Sequence, residues 1–169
     1  MPDELPKRKS TRLKNHDYST VGAYFVTICV QERKPILSDV EKASDKIEYE
    51  TILTTMGEIA NKYLLSSNNI PGVIIDEYII MPDHIHAIII LDPKKYTTRL
   101  NSKKLTATSH TNQMLSHVIS TFKRFCNKEI GCNIFQRGYY DHIIRDREDY
   151  ETRRRYIYEN PIKWYYEHL

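Results

Sequence analysis

Residues 73–91 read VIIDEYIIMPDHIHAIIIL, two apolar runs separated only by a Pro-Asp break. Parallel pairing needs a crossover of a dozen or more residues, so a break this short forces the runs together as an antiparallel hairpin. The other elements must build around it. AYFVTICV at 23–30 is rich in β-branched and aromatic residues and reads as a largely buried strand. Ile52, Met56, Ile59 and Tyr63 recur at helical spacing, with Leu53, Ala60 and Leu64 widening the stripe, which predicts an amphipathic helix of about four turns. SSNNIPG ends it with a cluster of turn formers.

Further along, Leu115, Val118, Phe122 and Cys126 mark a second amphipathic helix with Lys123, Arg124 and Lys128 on its polar side. GYYDHIIR at 138–145 reads as a fourth strand. Asp146, with Asp149 three residues on, opens a third helix as its N-cap, and Pro161 is expected to close it. Residues 31–48 read as charged and irregular, and 92–113 as a long exposed loop. The order is β-α-β-β-α-β plus a last helix. That is the α+β ferredoxin-like pattern, an antiparallel sheet with helices on one face and a C-terminal helix added. Residues 1–20 form a basic arm ahead of a single domain at 21–169.

Composition narrows the class. Lys and Arg number 25 against 22 Asp and Glu, a net +3, so bulk charge does not announce a nucleic-acid binder. Three cysteines with no CxxC argue against a disulfide scaffold or thiolate zinc site and fit a reducing cytoplasm. The N-terminus has no apolar segment behind its charges, and the longest apolar stretch, 87–91, is far too short to cross a bilayer, so no membrane role is expected.

Two constellations carry chemistry. In Met81-Pro82-Asp83-His84-Ile85-His86 the strand alternation puts both imidazoles on one face, where they can meet one divalent metal. Two polar residues on a solvated strand would look the same, but the apolar flanks place these on a central strand, where burying both without purpose is costly. Ile88 stands where an HxHxH hydrolase needs its third histidine, and there is no HExxH. The second constellation is RRRYIYENP at 153–161. Tyr156 and Asn160 are four apart and share a helix face, with Arg153 one turn back. A phenol nucleophile, a guanidinium for phosphate and an amide to complete a metal shell suit phosphodiester chemistry. Thirteen tyrosines make ordinary packing the competing explanation for any one of them.

MPDHIH followed by FQRGYYDHIIRDREDYETRRRYIYENPIKW resembles the REP-associated tyrosine transposases, relatives of the single-tyrosine HUH transposases of bacterial insertion sequences. That family carries an MPNHxH segment and a WQxRFxxHxIR…YxxxNPVK segment. The likeness runs from YFVTICV through NPIKW, sparing the arm and the 92–113 loop. It implies that His84 and His86 are metal-binding, that Tyr156 is the nucleophile, and that Asn160 stands where relatives offer a polar third ligand. Asp83 replaces the usual Asn and Phe135 the usual Trp, and neither removes a required group. The resemblance further implies an enzyme, a metal-dependent transposase or nickase using Mg²⁺ or Mn²⁺. It would cleave and rejoin single-stranded or hairpin DNA, the REP element type of substrate, through a 5′-phosphotyrosine intermediate, as a monomer or a homodimer.

Phosphate contacts would come from Arg153, Arg154, Lys123 and Arg124 and from Lys7, Arg8, Lys9 and Arg12 of the arm, and exposed Tyr139, Tyr140, Tyr165 and Tyr166 can stack bases. Two alternatives differ in class. A non-catalytic nucleic-acid-binding module is disfavoured by the missing RNP-type aromatic motif. A metal-dependent phosphoesterase would need no tyrosine in its site.

Overall fold

The computed structural model describes residues 21–42, 49–95 and 110–168; the arm at 1–20 and most of the expected 92–113 loop lie outside them. Four strands form the main sheet: β1 (Gly22–Cys29), β4 (Val73–Ile80), β5 (His84–Leu91) and β6 (Tyr140–Ile144). Their order is β4-β5-β1-β6 and every neighbouring pair is antiparallel. This is the strand order expected of the ferredoxin-like pattern, so the α+β reading holds. The hairpin pairs Ile80 with Ile85, with Pro82-Asp83 at the bend.

Two helices, α1 (Thr55–Ser66) and α2 (His110–Ile130), cover one side of the sheet. Tyr24, Val26 and Ile28 of β1 and Ile85, Ala87, Ile89 and Leu91 of β5 meet Ala60, Leu64, Leu115, Val118, Ile119 and Phe122 there in one buried cluster. The alternation of β1 and β5 therefore sends their other residues, Phe25 and Ile88 among them, to the opposite side. On that side Ile157 of a third helix, α3 (Arg147–Glu167), closes over Phe25 and Ile88 as a second, smaller cluster.

A bulge in β4 helps to aim α3. The pairing register slips between Ile75 and Glu77, so the strand changes phase: Ile75 and Ile80 both reach the α1/α2 side, while Ile79 reaches the other. Asp76 and Glu77, at the bulge, receive the Tyr150 hydroxyl and the Arg154 guanidinium of α3. The helix starts where its sequence says it should. Asp146 accepts a hydrogen bond from the backbone N–H of Asp149 at 2.8 Å.

Four expectations are corrected. Residues 31–48 are not wholly irregular: a second, two-stranded sheet pairs β2 (Ser38–Lys42) with β3 (Tyr49–Leu53). Apolar and polar residues do not alternate in either sequence, SDVEK or YETIL, and the hairpin is held by outside contacts, among them Ser38 Oγ donating to the Ile80 carbonyl at 2.9 Å. For the same reason α1 is shorter than its apolar stripe, since Ile52 and Leu53 belong to β3. Thr54 caps α1 by accepting from Gly57 N–H at 3.2 Å, and a Cβ at Gly57 would collide with the Leu37 carbonyl oxygen packed against that turn. At the other boundary, α2 begins at His110, inside the expected loop. Finally, Pro161 does not end α3, which continues to Glu167. An internal proline costs about 3 kcal/mol. Packing beyond it offsets that cost: Trp164 stacks on His168 with ring centres 3.9 Å apart, and Tyr165 lies 4.6 Å from Tyr49 of β3.

Candidate active site

His84 and His86 open β5, opposite Cys29 and Thr27 of β1, and both rings lie under α3, only 7% and 5% exposed. They do not project into solvent. The His86 ring stacks on Phe25 with centres 5.1 Å apart and meets His84 edge-on at 4.5 Å. Each ring has one nitrogen tied down. His86 Nδ1 is 2.9 Å from Thr27 Oγ1, and His84 Nδ1 is held by Asp83 Oδ1. Such partners fix ring orientation, and His84 also hydrogen-bonds Asn160. Asp83 also takes Arg33 Nε on its second oxygen at 3.3 Å.

Burial disfavours charge on both rings. It pushes His86 down to about 3, helped by the neighbouring His84 and Arg33. His84 is also lowered, chiefly by burial, against the opposing pull of Asp83 and a hydrogen bond with Asn160. Two neutral imidazoles beside a buried amide make a donor set that fits a divalent cation.

The tyrosine comes from α3. With Ile157 turned into the sheet, Tyr156 is directed along it, its ring 5.2 Å from His86 and 5.9 Å from Phe25, both edge-on. Tyr156 is 40% exposed. Four residues on, Asn160 is buried beside His84, as the shared helix face requires. Tyr158 points elsewhere, 62% exposed with the Arg154 guanidinium over its ring. A cavity of about 480 Å³ joins Thr27, Arg33, Asp83, His84, His86, Tyr156, Asn160, Lys163, Trp164, Glu167 and His168.

No protein-family model matches the chain. Two Haemophilus influenzae proteins are similar to it. One, named only "Uncharacterized protein", is 34% identical over 172 residues, covering 93% of this chain and 89% of the relative. The other, named "Putative REP-associated tyrosine transposase", is 29% identical over 150 residues, covering 87% of this chain and 74% of that protein. Among solved structures, that of a REP-associated tyrosine transposase bound to a REP hairpin superposes with a TM-score of 0.60, over 92% of this chain and 74% of that one. The chain is thus similar in sequence to a protein named as a REP-associated tyrosine transposase and shares its fold with a solved one. With that solved structure the identity is 20%, so the likeness is one of fold.

The basic residues that the family pattern and the sequence suggested are placed unevenly. Arg153 lies near the site but is engaged: Asp149 holds its Nε at 3.2 Å, His142 is 3.3 Å from Nη2, and its guanidinium sits over Phe25. Arg154 is turned to Glu77 and Glu151. Lys123 is buried, donating to the carbonyls of Gln136 and Gly138 at 2.8 and 2.7 Å. Exposed Arg124 lines, with Lys128 and Arg137, a groove of about 740 Å³ between α2 and residues 131–139, which Tyr156 does not line. Of the tyrosines proposed for stacking, Tyr139 is half-buried with its hydroxyl 2.9 Å from Ser116, while Tyr140 and Tyr166 are exposed. Lys7, Arg8, Lys9 and Arg12 lie outside the described residues.

Sequence reasoning missed Thr27, Arg33, Lys163 and Trp164 as cavity residues. Thr27 shares the strand face of Phe25, a signal present in the alternation of β1 but unusable without the β1–β5 register. Lys163 and Trp164 were hidden by the expectation that Pro161 ends the helix. Among the described residues no helix is long and apolar enough to cross a membrane.

Proposed function

We propose that the chain is a metal-dependent single-stranded DNA transesterase, a transposase that cleaves and rejoins hairpin-flanked DNA through a 5′-phosphotyrosine intermediate. The observation that carries this reading is the tyrosine-over-histidine geometry, with the Tyr156 ring 5.2 Å from that of His86 in the cavity shared with His84 and Asn160. The fold shared with a REP-associated tyrosine transposase solved bound to a REP hairpin supports the substrate class.

In the proposed step Tyr156 Oη attacks the scissile phosphorus as the P–O3′ bond breaks. The phenolic proton is lost, the departing 3′-oxygen of the upstream segment gains one, and the downstream segment remains on the tyrosine through its 5′-phosphate. A 3′-hydroxyl reverses the step and rejoins the strand, so bond energy is kept and no nucleotide cofactor is consumed. His84, His86 and Asn160 would hold Mg²⁺ or Mn²⁺, which when bound supplies positive charge beside the phosphate. Asp83 and Thr27 orient the two imidazoles. Ile157 and the Tyr150–Asp76 and Arg154–Glu77 contacts fix the height of Tyr156 above the sheet.

The test is covalent capture. A single-stranded DNA hairpin labelled at its 3′ end, incubated with protein and Mn²⁺, leaves label on the protein in a denaturing gel. The Tyr156→Phe variant leaves none. Phosphodiester cleavage that continues in Tyr156→Phe would instead assign the site to a phosphoesterase.

A further inference from the structure

Between β1 and β2 the chain is pinned on both flanks. On one side Val30 bridges to Phe135, and Gln31 N–H donates to the Ile134 carbonyl at 2.8 Å. On the other, Ile36 and Leu37 both donate to the Pro82 carbonyl at 2.9 Å. The turn between these anchors places Glu32 and Arg33 at φ of 55° and 54°, the left-handed region, in two consecutive residues that are not glycine. Left-handed residues of this kind persist where the surroundings over-determine them, and they cluster at functional sites.

The turn throws Arg33 back over the end of β1. Its Nε meets Asp83 at 3.3 Å and its Nη1 donates to Cys29 Sγ at 3.2 Å. Among the described residues no partner holds Nη2, and the side chain is 53% exposed where it lines the cavity of His84, His86 and Tyr156. Its carboxylate partner, Asp83, is shared with His84, and Glu167 lines the same cavity. The other cation of this cavity, Lys163, is paired with Glu159 at 3.3 Å and lies over the Tyr156 ring. Arg33 therefore offers a fixed guanidinium with a free edge, reached from the wall opposite α3.

We propose that Arg33 binds a phosphate of the single-stranded DNA, gripping a non-bridging oxygen through Nη2 while Asp83 and Cys29 hold the guanidinium in place. The proposal rests on the single-strand reading above and names the residue that seats the backbone. An arginine suits this task because its planar donors are always charged and pre-organised. The plain alternative is that Arg33 merely neutralises Asp83.

The experiment measures binding of a short oligothymidylate to the full chain across a KCl series. Each single-strand phosphate contact contributes about 0.7 to the slope of log Kd against log salt. Arg33→Met should lower that slope by about 0.7 and weaken binding about tenfold at low salt. Arg33→Lys, which keeps the charge and folds if Arg33→Met does not, should retain most of the slope while forming the covalent adduct more slowly. The double variant Arg33→Met/Asp83→Asn separates the two roles. If Arg33 grips phosphate, the loss persists in the double variant. A slope that Arg33→Met leaves unchanged, or that Asp83→Asn restores, overturns the assignment while leaving the single-strand reading intact. A parental chain that does not hold the oligothymidylate at all overturns both.

Discussion

The two sides of the main sheet are built on different terms. Against α1 and α2 the strands present aliphatic side chains almost without exception, closed in one large cluster that leaves Tyr24, Val26, Ile85, Ala87 and Leu91 inaccessible. Against α3 the same strands present Phe25, Thr27, Cys29, His84 and His86, with only Phe25, Ile88 and Ile157 forming a buried apolar cluster. The first side supplies the transfer free energy that holds the domain together. The second gives up apolar contact to keep imidazoles, an amide and a phenol together beneath a helix. One sheet serves both because strand alternation sorts neighbouring residues onto opposite faces.

That contrast can be broken experimentally, most sharply at Tyr156. Removing its hydroxyl in Tyr156→Phe should lower adduct formation by about a thousandfold or more, with no measurable change in Tm, because the ring and its packing on His86 and Phe25 remain. Tyr158→Phe should leave the adduct in place. On the opposite side the balance reverses. Ile89→Ala should cost about 2–5 kcal/mol in urea unfolding through lost contacts and a cavity, while adduct formation per folded molecule stays at the parental rate.

Ile157→Ala joins the two behaviours. Its loss of stability should lie near the low end, about 2 kcal/mol, because the cluster it anchors is small. Adduct formation should fall further than stability, since α3 loses its apolar anchor next to Tyr156. Equal falls in both would show that α3 is held chiefly by its polar contacts to β4. A smaller effect is expected from Asp146→Ala, which removes the cap of α3 and should cost about 1 kcal/mol in thermal or urea unfolding.

The smallest effect concerns acid. Burial works to raise the Asp149 carboxyl, but hydrogen bonds from His142 and Arg153 outweigh it and hold the group below its ordinary value. The unfolded chain therefore binds the proton first as pH falls below about 4. The stabilisation is present above that range and is lost as pH drops toward the lower folded value. In Asp149→Asn the acid limb of stability, followed by urea midpoints from about pH 6 to 3, should be flatter than in the parent. An unchanged limb would mean that the His142–Asp149–Arg153 contacts do not couple to folding.

Much of this division could be read from the chain by itself. Period-two and helical apolar spacing located β1, the β4–β5 hairpin, the seams of α1 and α2, and the start of α3 at Asp146, because burial of a periodic face is a local demand on sequence. The same logic put His84 with His86, and Tyr156 with Asn160, each pair on one face of its own element. What the tertiary structure decided was everything that depends on two elements meeting. Thr27 reaches His86 only through the β1–β5 register, and Arg33 reaches Asp83 only because both ends of its turn are pinned by other segments. The β2–β3 hairpin and the turns of α3 beyond Pro161 form against local preference, held by contacts with Ile80, with Tyr49 and, through Trp164, with His84. Local propensity is worth a few tenths of a kcal/mol to a few kcal/mol per residue, so packing between distant segments overrides it, and no local pattern in the sequence records where that happens.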